Sequence, residues 1–303
     1  MRHFIDLLDW DGEQILKLLK DATRIKKATL KGKCKPVLNG KILGMVFEKP
    51  SLRTRVSFQA GMAQLGGQAI FLNGTDAGLG KRESLPDIVR TLCEFVDAIV
   101  LRTFEHENVT EFARWASKPV INGLSDYYHP CQALGDLLTI REACGNLAGR
   151  TLAFVGDGNN VARSLAIACG EVGMRFILSA PEGYRFDQPF LETYQTHVRG
   201  QLDEIHDPAK AVKEADIVYT DVWASMGQES ESKQRLKHFA KYQINADLLK
   251  HAKDHVKVMH CLPAHRGEEI TDDVMDGPLS VAFPQAGNRM HAQKALLVWA
   301  LDA

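Results

Sequence analysis

The sequence has almost no charge imbalance. Its 37 Lys and Arg residues face 38 Asp and Glu, a formal net charge of -1. That leaves no electrostatic footprint for nucleic acid, and no polybasic segment suggests a membrane surface. No run approaches the ~20 apolar residues of a membrane helix. The opening MRHFIDLLDWDGEQ carries acids and lacks both a signal-peptide apolar core and a transit-peptide composition, so a cytoplasmic location is expected. The six cysteines (Cys34, Cys93, Cys131, Cys144, Cys169 and Cys261) form no CxxC pair and no Cys/His group with zinc-ligand spacing. They point to a reduced compartment, and no metal is expected. Internal repeats at 20–50-residue spacing and low-complexity segments are also missing.

What is present is an ordinary soluble composition, 45% hydrophobic over 303 residues, enough for two domains at ~100–200 residues each. Ile15, Leu18, Leu19, Ala22 and Ile25 repeat at helical spacing. Short apolar runs then alternate with helical patterns. KILGMVF (41–47), QAIFL (68–72), DAIVLR (97–102) and PVIN (119–122) read as strands. A helix lies between the first two, over 52–65, with Val56, Ala60 and Ala63 on one face and Phe58, Met62 and Leu65 widening it. A helix from Pro130 to about Cys144 follows, with Pro130 in its first turn, and Gly145 and Gly149 mark a break.

A second set of strands comes next: TLAFVG (151–156), MRFILSA (174–180), ADIVYT (215–220), VKVMHC (256–261) and SVAF (280–283), then a helix over 288–302. This pattern predicts an α/β protein of two doubly wound parallel-sheet domains joined by two interdomain helices. The expected division is 1–145, with the C-terminal helix 288–303 packing back on it, and 146–287.

The polar clusters have a common position. KPSLRTR, NGTDAGLGKRES, Arg102, NGLSDYYHPCQ, DGNN, DVWASMGQE and HCLPAHRGEE each lie at the carboxyl end of a predicted strand. In open parallel sheets that edge binds ligands. Seven such coincidences argue for a cleft between two sheets.

Within SLRTR, Ser51 can cap the helix that follows, whose free N–H groups and partial positive charge suit phosphate. Arg53 and Thr54 add a fork of donors and a hydroxyl. The plainer alternative is a capped surface helix with exposed arginines. The spacing of a P-loop is absent. In HPCQ, His129 and Gln132 lie near one helix face and could contact one small polar group, with His129 as donor. Arg102 could reach the same point. The alternative is a histidine that merely caps the helix. GDGNN has Gly156 and Gly158 but Val161 where a dinucleotide fingerprint needs its third glycine, and no acidic residue ends the next strand. Nicotinamide binding is disfavoured; Asn159 and Asn160 suit a helix cap. His260 and Cys261 adjoin in sequence, but strand alternation points them to opposite faces, so they are no evidence for a nucleophile pair.

Taken together, SLRTR (51–55), HPCQ (129–132), DGNN (157–160), DVWASMG (221–227) and HCLP (260–263) resemble the aspartate/ornithine transcarbamylase family, most closely its ornithine-using branch. RHF (2–4) and NRMHAQKALL (288–297) extend the likeness over essentially the whole chain. The resemblance implies transfer of a carbamoyl group from carbamoyl phosphate to the δ-amine of L-ornithine, giving L-citrulline and phosphate. Ser51, Leu52, Arg53 and Thr54 match the family's phosphate-binding turn. Arg102, His129 and Gln132 match the residues that hold the carbamoyl group. Cys261, Leu262 and Arg289 match the remaining carbamoyl phosphate contacts, and Asn160, Asp221, Ser225 and Met226 the ornithine contacts. Arg102, His129 and Cys261 take the catalytic roles. Cofactors are not implied; assembly into a homotrimer, or trimers stacked further, is.

Three positions depart from the family's pattern. Leu52 stands where many relatives carry threonine. Gly78 falls where relatives often have glutamine or histidine reaching into a neighbouring subunit's site, and offers no such side chain. Gly287 replaces a common glutamate. Aspartate-using relatives usually read HPLP for HCLP. N-acyl-ornithine enzymes share PSLRTR but lack DxxxSMG, so Asp221 and Ser225-Met226-Gly227 favour free ornithine; an N-acyl-ornithine acceptor is the alternative. A non-catalytic ligand-binding protein of the same shape would not need Arg102, His129 and Cys261 together.

Overall fold

The computed structural model describes residues 1–74, 83–224 and 229–303. The first half runs α1 (Gly12–Leu30), β1 (Ile42–Phe47), α2 (Leu52–Gln64), β2 (Gln68–Asn73), α3 (Leu85–Phe95), β3 (Ala98–Arg102), α4 (His106–Trp115), β4 (Val120–Leu124) and α5 (Pro130–Cys144). The second runs β5 (Thr151–Val155), α6 (Asn160–Glu171), β6 (Arg175–Ser179), α7 (Gln188–His197), β7 (Leu202–Glu204), α8 (Pro208–Val212), β8 (Ile217–Thr220), α9 (Ser232–Phe239), α10 (Ala246–Leu249), β9 (Lys257–His260), α11 (Asp272–Met275) and α12 (Ala282–Ala300). The sheets order as β2-β1-β3-β4 and β7-β6-β5-β8-β9, parallel throughout. Each reverses strand order beside its first strand, at the β1/β3 and β5/β8 gaps, the switch point where open sheets form a crevice. Among the described residues, no helix is long and apolar enough to cross a membrane.

The central strands are short apolar runs because helices cover both faces of a parallel sheet; β3 and β5 are buried along their whole length. The edge strand β2 is only partly buried. In α1 the five apolar residues of the helical repeat are all buried, as their spacing predicts.

Other elements differ from the sequence reading. In α2 the buried face is Thr54, Phe58, Gly61 and Met62, whereas Val56 is 52% exposed. A threonine and a glycine on the buried stripe disguise it. SVAF is not a strand. Val258 N–H donates to Leu279 O and Val281 N–H to Val258 O, both at 2.9 Å, and the chain then turns into α12 at Ala282, with Pro284 tolerated in its first turn. The last helix therefore begins before Gly287 and runs through it. The three-residue β7 carries no apolar run to announce it.

The chain forms two compact units. One is Met1–Asp9, Gln14–Gly135 and Asn288–Ala303; the other is Trp10–Glu13 and Asp136–Gly287. The boundary thus falls inside α1, α5 and α12. Gly145 and Gly149 shape the exit from α5, with φ of 80° and 78° that favour glycine. Within the first unit the buried Lys294 of α12 donates to Thr29 Oγ1 at 2.6 Å and Gln64 Oε1 at 2.8 Å, tying α12 to α1 and α2.

Candidate active site

In the first unit, Ser51 caps α2: its Oγ accepts from Thr54 N–H at 3.2 Å and donates to Thr54 Oγ1 at 3.0 Å. The first N–H groups of the helix have no intrahelical partner. Thr54 is buried, Arg53 is half-buried, and the Leu52 side chain is 74% exposed, so Leu52 has only its backbone to offer there. Arg102 is the last residue of β3, at the point where the β3–β4 register shifts, and it is buried. From α12, the buried Arg289 donates through Nη2 to Thr54 Oγ1 at 2.5 Å and faces His129 Nε2 at 3.3 Å. A guanidinium only donates, so this histidine nitrogen accepts.

His129 caps α5 through its backbone, its carbonyl accepting from Gln132 N–H at 3.1 Å. Its buried side chain is turned to the arginine instead, and Gln132, one turn on, is buried as well.

Among the described residues the charges do not balance. Burial first, then Arg289, Arg102 and Arg53, hold the His129 imidazole well below its usual range, so it is neutral. Burial, then Arg289 and Arg53, also pull the Arg102 guanidinium below its ordinary value, opposed by Asp126. Asp126 is shared with the buried Lys49. Arg102 Nε has no hydrogen-bond partner among the described residues. A buried surplus of positive charge is costly unless an anion meets it. A separate cavity of ≈ 670 Å³, lined by Phe47, Phe71, Phe104 and Arg55 among others, shares only Ser51 and Leu52 with this cluster.

In the second unit the arrangement centres on a carboxylate. Asp221 follows β8 and is buried. Its Oδ1 accepts from Val222 N–H at 2.8 Å and from Cys261 Sγ at 2.8 Å; its Oδ2 accepts from Asn159 Nδ2 at 2.9 Å. Asn159 is the residue the sequence reading left as a mere cap. It does cap α6, accepting from Val161 and Ala162 N–H at 3.0 and 3.1 Å, while its amide also fixes Asp221. Asn160 is the first residue of α6 and half-buried. Gly158 answers the question of the incomplete glycine fingerprint: a Cβ there would lie 2.9 Å from the Arg185 backbone, so packing requires the glycine. Arg235, which no motif flagged, donates to Asp157 Oδ2 at 2.6 Å and to Trp223 O at 2.9 Å, bracing the loop after β8.

Cys261 and His260 do not pair. His260 Nδ1 accepts from Leu262 N–H at 2.9 Å, so its proton sits on Nε2, which donates to Glu269 Oε1 at 2.9 Å. The first of these bonds holds Leu262 at φ 58°, a conformation that costs a non-glycine residue ~1–2 kcal/mol. Among the described residues, Asp221, His260 and Cys261 offer ligand atoms within 4.8 Å of one another, as do His265, Glu268 and Glu269. In the first set both imidazole nitrogens and the thiol are already engaged. Ser225, Met226 and Gly78 lie outside the described residues. The remaining predicted residues divide between the two clusters: Ser51, Leu52, Arg53, Thr54, Arg102, His129, Gln132 and Arg289 in the first unit, Asn160, Asp221, Cys261 and Leu262 in the second.

Residues 2–142 match the family model described as aspartate/ornithine carbamoyltransferase, carbamoyl-P binding domain, and residues 148–300 match the Asp/Orn binding domain of the same family. The chain belongs to the aspartate/ornithine carbamoyltransferase family. Within this carbamoyltransferase family, the anabolic ornithine carbamoyltransferase of Pyrococcus furiosus is 50% identical over 299 residues, covering 98% of this chain and 95% of that protein. The ornithine carbamoyltransferase of Bacillus subtilis is also 50% identical over 299 residues, covering 98% and 92%. The solved ornithine carbamoyltransferase from Pyrococcus furiosus superposes with TM-score 0.96 at 48% identity, over 100% of this chain and 97% of that one. The enzyme from Thermus thermophilus gives 0.89 at 40%, over 98% of each. The family's Asp/Orn binding domain model takes in the whole of α12, although Asn288–Ala303 pack within the first unit; Arg289 therefore serves the cluster of the other sequence domain.

Proposed function

We infer that this chain transfers the carbamoyl group of carbamoyl phosphate to the δ-amine of L-ornithine, yielding L-citrulline and phosphate. The observation that carries the reading is the buried surplus of guanidinium around Thr54 and a neutral His129, in a chain whose half-identical relatives are named ornithine carbamoyltransferase. The first unit is then the carbamoyl phosphate side and the second the ornithine side.

In this reading the α2 N-terminus (Ser51, Leu52, Arg53, Thr54) receives the phosphate. Arg289 supplies a second guanidinium, and Arg102, His129 and Gln132 hold the carbamoyl group. When the amine attacks, the carbonyl oxygen gains negative charge as the tetrahedral centre forms. Collapse breaks the bond from the carbonyl carbon to the phosphate oxygen, and the departing phosphate takes up the proton that the amine nitrogen gives up. Donors from Arg102, Thr54 and His129 stabilise that oxygen, each worth ~3–4 kcal/mol by analogy with other oxyanion sites. A neutral imidazole suits the task because it donates without adding another buried cation; to donate through Nε2 it must shift tautomer as Arg289 turns to the anion.

A free alkyl amine has a pKa near ~10.4, and nearby guanidiniums favour its neutral form. Asp221, already oriented by Asn159 and Val222 N–H, takes ornithine's α-ammonium with Asn160, Ser225 and Met226. Cys261 and Leu262 lie beside the reacting end. No cofactor enters these steps. We also propose a homotrimer or an assembly of trimers; it is supported by apolar side chains left in water on α2 and the edge strand β2, namely Leu52, Val56 and Ile70. Sedimentation mass tests it, and a monomer would refute it.

Citrulline formation tests the activity. Ornithine is expected to be the preferred acceptor, with acetylornithine and aspartate poor. Preference for either of those would overturn the reading, as would absence of phosphate release with ornithine.

A further inference from the structure

The β9 strand lies at the edge of its sheet, so its outward backbone groups need partners that no further strand supplies. The segment before α12 serves Val258, as described above. It does not reach the next outward amide, that of His260, because the chain has turned helical. There Gln285, in the first turn of α12, replaces a strand with its side chain: Oε1 accepts His260 N–H at 3.0 Å. The same amide group is held from behind, Nε2 donating to Asp136 Oδ1 at 2.7 Å and to Tyr219 OH at 3.0 Å, while Tyr219 OH donates to Asp136 Oδ2 at 3.0 Å. Gln285, Asp136, Tyr219 and His260 are all buried, and all belong to the second unit.

We propose that Gln285 is a positioning residue for Cys261: by terminating the β9 ladder at His260 it fixes the direction in which the next residue leaves the strand, and so holds the thiol on Asp221. The proposal rests on the reading above that Asp221 and Cys261 meet the amine acceptor. Gln285 touches neither substrate; it acts through one peptide bond. Asp136, at the shorter distance of 2.7 Å, keeps its amide from rotating, and Tyr219 adds only a second, longer bond. This assigns a role to a residue that no motif of the sequence marks.

The test compares Gln285→Met, which keeps the side chain's length but removes its bonds, with Tyr219→Phe, which removes two equally buried bonds yet leaves Gln285 held by Asp136 and His260 N–H anchored. Three readouts are taken on the full-length protein: KM for ornithine, KM for carbamoyl phosphate, and the rate at which iodoacetamide alkylates Cys261, read by mass spectrometry of its peptide. Gln285→Met is expected to raise the ornithine KM roughly tenfold, to change the carbamoyl phosphate KM less than about twofold, and to alter Cys261 alkylation about fivefold; Tyr219→Phe stays near wild type on all three. A folded Gln285→Met protein with wild-type ornithine KM and alkylation overturns the proposal. So does a Tyr219→Phe protein that matches it, since the effect is then one of general core polarity.

Amide hydrogen exchange on the wild-type protein needs no variant. The His260 amide is expected to exchange as slowly as that of Val258, and loop-like exchange overturns the anchor. Failure of wild-type protein to form citrulline would sink the functional reading instead, while the alkylation and exchange results would still decide the positioning.

Discussion

The two clusters solve opposite electrostatic problems. In the first unit Arg102, Arg289 and Arg53 gather around a neutral imidazole with too few acids to match them. In the second unit Asp221 already has donors on both carboxylate oxygens. One cluster carries a surplus of buried positive charge among the described residues; the other is oriented in advance by its own scaffold. Substitutions in the two places should therefore separate activity from stability in different ways.

The largest separation is expected at Arg102. Arg102→Met removes a buried cation of poor pairing, so citrulline formation should fall about 10²–10³-fold while the melting temperature stays level or rises, as when buried ions give way to apolar side chains. A marked loss of stability would mean the charge is matched after all. Inorganic phosphate or carbamoyl phosphate should raise the wild-type melting temperature and that of this variant much less.

Arg53→Lys comes next. The charge is kept but the planar fork is lost, and kcat/KM for carbamoyl phosphate should drop about a hundredfold; near wild-type turnover would count against the assigned role. Asp221→Asn tests the other unit. It should raise the ornithine KM about thirtyfold, the scale of one lost charge-assisted bond, and also lower the melting temperature, because the new amide has one acceptor oxygen for donors that approach both carboxylate oxygens, and its NH2 opposes one of them. If stability is untouched, the contrast between the clusters fails.

Smaller effects sharpen it. Ser51→Ala should cost about 1 kcal/mol of stability by chemical denaturation, the usual worth of a helix cap. For His129 the sign follows from its depressed folded pKa. The unfolded chain takes up the proton near pH ~6.5 and the folded one only at lower pH. Stability contributed by the neutral buried ring is thus present above pH ~6.5 and falls as pH drops below it, by at most about 1.4 kcal/mol per pH unit. His3 and His106 shift the same way, chiefly by burial, so His129→Gln should flatten only part of the decline in denaturation midpoint between pH 7.5 and 5.

Much of this architecture is legible in the sequence because parallel strands buried on both faces read as short apolar runs, and because ligand loops leave them at one end. The stretches around Arg53, Arg102, His129, Asp221 and Cys261 could be placed on that edge before any coordinates. What stays hidden is set by long-range packing. The α2 stripe runs through Thr54 and Gly61, which apolar periodicity does not count. The 280–283 segment begins with strand-like bonds and ends as a helix, a choice made by β9 and Pro284 rather than by its own apolar run. Asn159, Arg235 and Gln285 act on residues far away in sequence, and nothing local distinguishes them from a cap, a surface arginine or a helix glutamine.

The first compact unit is discontinuous, closed by the last sixteen residues from Asn288 to Ala303. During synthesis its four strands emerge before the second unit and Arg289 only after it. A nascent chain can therefore build the sheet, the α2 cap and the buried imidazole well before the guanidinium that bonds Thr54 exists. Until Arg289 has been made, the guanidinium cluster is an unfinished one, and loss of α12 should leave a recognisable first unit that binds phosphate poorly.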